Sequence, residues 1–185
     1  MALTKTPVCD FGKKAENFKL KSIYNKVITL NDIIGEKATL IMFICNHCPY
    51  VKAIIKDLAK DCNELRNDGI STVAIMSNDT KNYPEDSFDN MMKFAEINNF
   101  RNINYLFDET QEIAKKYGAV CTPDFFGYNR NLELQYRGRF RELKDLKPIN
   151  NGDSDLKIAM KMIAKTQKGP DEQIPSMGCN IKWKS

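Results

Sequence analysis

The sequence predicts an α/β fold, a central mixed β-sheet with helices on both faces. Three observations carry that expectation. Apolar runs of strand length alternate with segments of helical periodicity through the middle of the chain. The order of segments reads β-β, then βαβα, then βα, then a β-hairpin and a final helix. The run Ala38-Thr-Leu-Ile-Met-Phe-Ile leads directly into Cys45-Asn46-His47-Cys48, followed by Pro49 and a long helical pattern. A pair of cysteines there sits at the carboxyl end of a central strand, where open α/β sheets place their sites.

In chain order, Phe18-Lys-Leu-Lys alternates apolar and polar residues and Val27-Ile-Thr-Leu follows an Asn-Lys turn, so both read as short strands forming an N-terminal extension of the sheet. Asn31 to Gly35 reads as a turn or short helical connection. After Pro49, one face of a helix collects Val51, Ile54, Ile55, Leu58, Cys62 and Leu65, and Asn67-Asp68-Gly69 ends it. Ile70 to Ser77 is a second buried strand, and Asn78 to Glu85 a polar loop. A helix from about Ser87 to Asn98 is expected to bury Phe88, Met91, Met92 and Ala95. Tyr105-Leu-Phe is a short strand. Asp108-Glu-Thr opens a helix that turns Ile113, Ala114 and Tyr117 inward and stops at Gly118. Phe125 to Tyr128 and Glu133 to Arg137 form a hairpin around Asn129-Arg-Asn. Ser154 is placed to cap a last helix reaching about Thr166. Residues 8–168 thus form one domain, and residues 169–185 an irregular tail without strand or helix period, expected to pack on it.

Composition bounds the function. The chain has 185 residues, 42% hydrophobic and 28% charged, with a net charge of +4, an ordinary balance for a globular domain. Arg137, Arg139, Arg141, Lys144 and Lys147 gather in one region, but acids interrupt them and a solvated face is the expectation. No aromatic platform is interleaved with a basic stripe, so nucleic acid is not an expected partner. No stretch approaches the ~20 apolar residues of a membrane span, so no membrane association is expected, and Met1 to Phe18 holds no apolar leader core. The expected compartment is the cytosol, where thiols are kept reduced and a C-x-x-C pair is catalytic or metal-binding rather than structural.

The pair has its own chemistry. A strand that ends in C-x-x-C and opens into a helix is the layout of a thiol–disulfide redox site, because the helix N-terminus favours thiolate, the nucleophilic form. Cys45 is expected to be the exposed sulfur of low pKa and Cys48 the shielded one. His47, the only histidine, is placed to tune the pair, since a cationic imidazole favours thiolate and a stabilised reduced form makes a stronger oxidant. The competing reading is a metal site, which needs further ligands, and only Cys121, Cys179 and His47 remain for that; no metal is expected. No Gly-rich phosphate loop is present, so no organic cofactor is expected. Cys62 reads as core filler, Cys121 as a small buried residue near the pair, and Cys9 carries no role.

Four segments together carry a resemblance to a known family. They are Phe43-Ile-Cys-Asn-His-Cys-Pro-Tyr-Val, the Ser77-Asn-Asp loop continuing to Tyr83-Pro-Glu-Asp, Gly118-Ala-Val-Cys-Thr-Pro-Asp-Phe-Phe, and Pro175-Ser-Met-Gly-Cys-Asn-Ile-Lys-Trp-Lys. Over about residues 8 to 184 the chain resembles a thioredoxin-fold protein of the redoxin group, which holds alkyl hydroperoxide reductases, thiol-specific antioxidants and thiol–disulfide oxidoreductases, and within it a peroxiredoxin-like subgroup with a C-x-x-C motif. The resemblance implies a thioredoxin-like fold and a cis bond at Thr122-Pro123 opposite the cysteine pair. Thr122 and Pro123 would then line the substrate groove, with the Thr122 backbone open to an extended substrate as an added strand. It also implies a tail that returns to the redox face, bringing Cys179 near the pair as a possible third redox cysteine.

The departures are as informative. Thioredoxin carries a buried Asp six residues before its first cysteine, and here that position is Thr39. Peroxiredoxins carry P-x-x-x-[TS]-x-x-C with the peroxidatic cysteine aligning on Cys48, but here Ile41 and Cys45 replace the Pro and the Thr or Ser. The expected function is therefore thiol–disulfide exchange with protein or small-molecule thiols and disulfides, through a mixed disulfide on Cys45 that Cys48 resolves. The alternatives are a thiol peroxidase of antioxidant type and a cysteine-based metal-binding module.

Overall fold

The computed structural model describes residues 3–185; Met1 and Ala2, the start of the segment read for a leader, lie outside the described residues. The strands are β1 (Leu3–Lys5), β2 (Lys19–Ser22), β3 (Val27–Thr29), β4 (Ala38–Phe43), β5 (Ile70–Met76), β6 (Ile103–Phe107), β7 (Cys121–Thr122), β8 (Asp124–Asn129), β9 (Leu134–Tyr136), β10 (Leu143–Lys144), β11 (Lys147–Pro148) and β12 (Met177–Asn180). The helices are α1 (Pro49–Leu65), α2 (Phe88–Ile97), α3 (Glu112–Tyr117) and α4 (Asp155–Thr166). A seven-stranded mixed sheet runs β3-β2-β6-β5-β4-β8-β9. Within it β4 is parallel to β5 and β5 to β6, whereas β4 and β8 are antiparallel. This is a thioredoxin-like α/β arrangement.

β4 lies in the middle because its residues can be buried on both faces. Leu40 and Met42 meet α1 and α4 in one apolar cluster, and Ile41 and Phe43 meet α3 in the other. That two-sided burial is what an uninterrupted apolar run of strand length requires. α1 stops at Leu65, and Gly69 supplies the left-handed φ of +76° that turns the chain into β5. Ser154 caps α4 by accepting the Lys157 N–H at 3.0 Å, and its hydroxyl donates to Asp61 at 2.6 Å, tying α4 to α1. Among the described residues, no helix is long and apolar enough to cross a membrane.

Four expectations need correction. Met91 is buried on α2, but Met92 is 42% exposed, because successive helical positions lie about 100° apart and only one can face the sheet. Asp108 does not begin a helix. Its carboxylate instead accepts the N–H of Ala114 at 2.9 Å and caps α3 from the preceding loop. The basic cluster is not a uniformly solvated face: Arg137 is buried and paired with Asp124 at 3.0 Å, while Lys144 and Lys147 are exposed. The tail is not irregular throughout, since Met177–Asn180 forms β12, the middle strand of a three-stranded sheet β1-β12-β7.

Candidate active site

β4 delivers the backbone to Cys45, and the Ile44 N–H extends the ladder with a 3.1 Å bond to the Ile75 carbonyl. Pro49 then fixes where α1 begins. It lacks an N–H and its φ is preset for the first helical position, so Cys48, not Cys45, becomes the N-cap. Both sulfurs are buried, Cys45 with 1% and Cys48 with 0% of its surface exposed. Thr122 stands opposite them: its hydroxyl is 3.3 Å from Cys45 Sγ and its carbonyl 3.2 Å from Cys48 Sγ. The Thr122–Pro123 bond is cis.

The electrostatics of the pair run against the expected division of labour. Hydrogen bonding from the Cys45 thiol is the largest influence lowering the Cys48 pKa, to about 5 against the cost of burial. The same hydrogen bond, together with burial and the nearby Asp86 charge, pushes Cys45 well above the ordinary thiol value. The Thr122 carbonyl, which accepts from the Cys48 thiol, opposes a thiolate there, but the downward shift prevails. Cys45 is therefore neither exposed nor the low-pKa sulfur. Cys48 holds the N-cap position of α1, where the helix dipole favours a thiolate, and its side chain makes no cap hydrogen bond.

His47 is fixed rather than free. Its Nδ1 lies 2.7 Å from Asp86 Oδ2, and its ring stacks on Tyr83 with centroids 5.5 Å apart. The Asp86 contact raises the His47 pKa against desolvation. Asp86 is fully buried and also accepts the backbone N–H of Asn46 at 2.8 Å, that of His47 at 3.3 Å and the Asn78 amide at 2.8 Å. Asn46 is held in turn by the Tyr105 hydroxyl at 2.9 Å and the Glu85 carbonyl at 3.1 Å. The C-x-x-C dipeptide is thus locked from both sides. Sequence reasoning gave Asp86 no role; the signal available was its place at the end of Tyr83-Pro-Glu-Asp, one of the four resembling segments. Cys45, His47 and Asp86 offer ligand atoms within 4.8 Å of one another. Both Asp86 oxygens, however, already accept two N–H donors each, so a metal ion on Asp86 would have to break hydrogen bonds that hold the loop.

Thr39 does not substitute for a buried carboxylate; its hydroxyl accepts the Gly35 N–H at 3.0 Å on the opposite face of the sheet. Behind Pro123, Asp124 accepts Arg137 at 3.0 and 3.3 Å and the Val120 N–H at 3.2 Å, bracing the loop that presents Thr122. Cys121 and Cys62 are buried thiols pushed upward by desolvation, and Cys9 is raised to about 11 for the same reason. A groove of about 540 Å³ runs past Pro123, with Tyr50, Ile54, Phe140 and Ile174 among its walls, and neither sulfur of the pair lines it.

The tail arrives on the same face. β12 pairs antiparallel with β7, Cys179 opposite Thr122 and Asn180 opposite Cys121. The Thr122 edge expected to be open to a substrate strand is therefore filled by the chain's own residues. Cys179 is 4% exposed, shares the apolar cluster of Cys45 and Cys48, and contacts the Cys48 sulfur. Ile181 is buried, whereas Trp183 stays 42% exposed with the Lys115 ammonium 5.6 Å above its ring.

Similarity agrees with this layout. No curated protein matches the chain. The crystal structure of an uncharacterized conserved protein from Geobacillus kaustophilus superposes with a TM-score of 0.94 at 40% identity, covering 100% of this chain and 97% of that one. A hypothetical protein from Sinorhizobium meliloti 1021 superposes at 0.90 with 35% identity, covering 98% and 99%. A secreted disulfide oxidoreductase of Mycobacterium tuberculosis shares the fold at a TM-score of 0.54 and 17% identity, over 64% of this chain and 80% of its own. A strand running into a helix-capping cysteine, with a cis-proline opposite it, lies inside the segment that the AhpC/TSA family model matches, residues 11–140, and by that match this chain belongs to the AhpC/TSA family, in the thioredoxin-fold redoxin group.

Proposed function

We propose that the protein is a thiol–disulfide oxidoreductase that works through Cys45 and Cys48, with His47 tuning the pair and Thr122 and Pro123 presenting the partner. The observation that carries the reading is that both sulfurs face one residue, Cys45 Sγ 3.3 Å from the Thr122 hydroxyl and Cys48 Sγ 3.2 Å from the Thr122 carbonyl, beside the cis bond to Pro123. Cys48 thiolate attacks a partner disulfide, forming a mixed disulfide and releasing one partner sulfur as thiolate. Cys45 then gives its proton to the departing sulfur and attacks Cys48 Sγ. The Cys45–Cys48 bond forms, the second partner thiol leaves, and two electrons have passed to the partner. In reverse, the same steps oxidise a dithiol. Cytosolic proteins or small molecules with exchangeable thiols are the partners we propose.

The test is exchange between glutathione and a disulfide-bearing peptide, with peptide mapping of the oxidised protein. A Cys45–Cys48 bond and loss of exchange in Cys48→Ser are expected. Wild-type exchange in Cys48→Ser, or no bond between the two cysteines, would overturn the reading.

One observation favours a second reading, a thiol peroxidase: Cys48 stands at the N-cap position of α1 and its pKa is lowered. Against it, Ile41 and Cys45 stand where the peroxidase motif has its peroxide-holding residues, so slow reaction with hydrogen peroxide is expected. A stopped-flow rate constant above about 10⁵ M⁻¹s⁻¹, well inside the range of efficient enzymes, would favour the peroxidase instead.

A further inference from the structure

The edge of β7 is where the fold would seat an extended partner, and β12 already occupies it in register. Its attachment is specific on both sides. Ser176 Oγ donates to the Pro123 carbonyl at 2.8 Å, and the Ser176 N–H donates to Thr6 Oγ1 at 3.0 Å. β1 covers the outer edge, with Leu3 opposite Cys179 and Thr4 opposite Gly178. Further on, the Lys182 N–H donates to Asn78 at 2.9 Å and the Lys182 carbonyl accepts from Asp79 at 2.8 Å and Gln111 at 2.8 Å. At Gly178 a side chain is forbidden, since a Cβ would lie 2.0 Å from the Thr122 carbonyl oxygen. The glycine lets the strand close onto Thr122, and that closeness sets Cys179 beside Cys48.

We propose that β12 is a built-in substrate strand, and that Cys179 is the third thiol of an exchange centre in which Cys48 is the sulfur shared by Cys45 and Cys179. The proposal takes the Cys45–Cys48 chemistry above as given. In the oxidised centre the Cys179 sulfur, after losing its proton, attacks Cys48 Sγ. A Cys48–Cys179 bond forms, the Cys45–Cys48 bond breaks, and Cys45 leaves as a thiolate that takes up the proton. One disulfide and one thiol are present before and after, so no outside oxidant or reductant is consumed. Cys48 is the shared sulfur because it lies between the others at Thr122, whose hydroxyl meets Cys45 Sγ, whose carbonyl meets Cys48 Sγ and whose strand partner is Cys179. All three sulfurs are shielded, so an external partner reaches Cys48 by taking the place of β12. The segment that does so presents, like Gly178-Cys179, a small residue before its cysteine.

The experiment oxidises the full-length protein with oxidised glutathione, quenches with acid and maps the disulfides by mass spectrometry. In Cys45→Ser the expected product is a Cys48–Cys179 bond with no glutathione retained. In Cys45→Ser with Cys179→Ser, glutathione should remain on Cys48. Equal retention of glutathione with and without Cys179 overturns the proposal while leaving the Cys48 chemistry standing. No adduct and no bond at Cys48 in either variant overturns both. Wild-type protein provides a reading independent of how the variants fold: some of its oxidised population should carry Cys48–Cys179, and a population with Cys45–Cys48 alone, at all glutathione ratios, overturns the third-thiol role by itself.

Discussion

His47 Nδ1 and Asp86 Oδ2 lie 2.7 Å apart, and the carboxylate that holds the imidazole is completely shielded from solvent. Two loops far apart in sequence meet in this contact, and it fixes both the orientation and the charge preference of the residue between the two cysteines.

The first prediction concerns that contact. Because the pairing raises the His47 pKa above its ordinary 6.5, Asp86→Asn should lower it. Nuclear magnetic resonance titration reads this from one resonance, since the chain has one histidine. The sign for stability follows from linkage: a raised pKa stabilises the fold fully below pH 6.5 and that contribution is lost as pH rises through the folded value. Asp86→Ala should lower stability in urea unfolding, because the Asn46 N–H and the Asn78 amide lose their acceptor at about 1–3 kcal/mol each. A His47 pKa unchanged in Asp86→Asn would contradict the pairing.

For the pair itself, Cys48 should titrate at about 5 and Cys45 well above the ordinary thiol value. Iodoacetamide alkylation of the reduced wild-type protein against pH, with peptide mapping of the modified cysteine, gives the order with both groups in place. The depressed Cys48 pKa stabilises the reduced fold fully above the ordinary thiol value of 9.0, and this is lost as pH falls through about 5. A stabilised thiolate also stabilises the reduced form, so the reduction potential should lie between about −120 and −230 mV, above the thioredoxin level of about −270 mV. A potential at or below that level in glutathione buffers would refute the argument.

Gly178 offers a test of tail docking that leaves every thiol in place. Gly178→Val should separate β12 from β7, since its Cβ would lie 2.0 Å from the Thr122 carbonyl oxygen. Maleimide labelling of Cys48 should become faster and Tm should fall. Labelling as slow as in wild type would mean that the tail does not shield the pair.

Arg137→Ala leaves Asp124 buried without its cation, and a loss of about 3–5 kcal/mol is expected. Arg137→Lys should recover only part of it, because an ammonium cannot reproduce the two-nitrogen fork on Asp124. Urea unfolding of the three proteins provides the comparison.

The parts of this architecture legible from sequence are those governed by short-range rules. The buried strand before Cys45 was visible as an apolar run, the cap at Ser154 as a residue type, and the end of α3 as Gly118. The fates of Arg137 and Asp86 were not legible, because each depends on a partner brought close only by the fold: Asp124 across a hairpin, and His47 thirty-nine residues away. β12 escaped notice because Met177-Gly-Cys-Asn has no alternation. Its strand geometry comes from pairing with β1 and β7 on either side and not from its own pattern. Pro49 makes the N-cap position of the second cysteine legible, whereas the contacts of the two sulfurs with Thr122, 77 and 74 residues away, are set only by the fold.

Asn78 has one more implication. Its side-chain oxygen accepts the Lys182 N–H at 2.9 Å while its side-chain nitrogen donates to Asp86 Oδ2 at 2.8 Å, the same oxygen that meets His47. A single amide therefore spans the docked tail and the imidazole's counter-charge. Thermodynamic reciprocity then makes the two events one quantity seen from two ends: by whatever factor tail docking changes the proton affinity of His47, protonation changes the docking equilibrium by the same factor. Asn78→Ala would remove the hydrogen-bonded half of that link, leaving Tyr83, stacked on His47 and lying under the Lys182 ammonium, to carry the remainder.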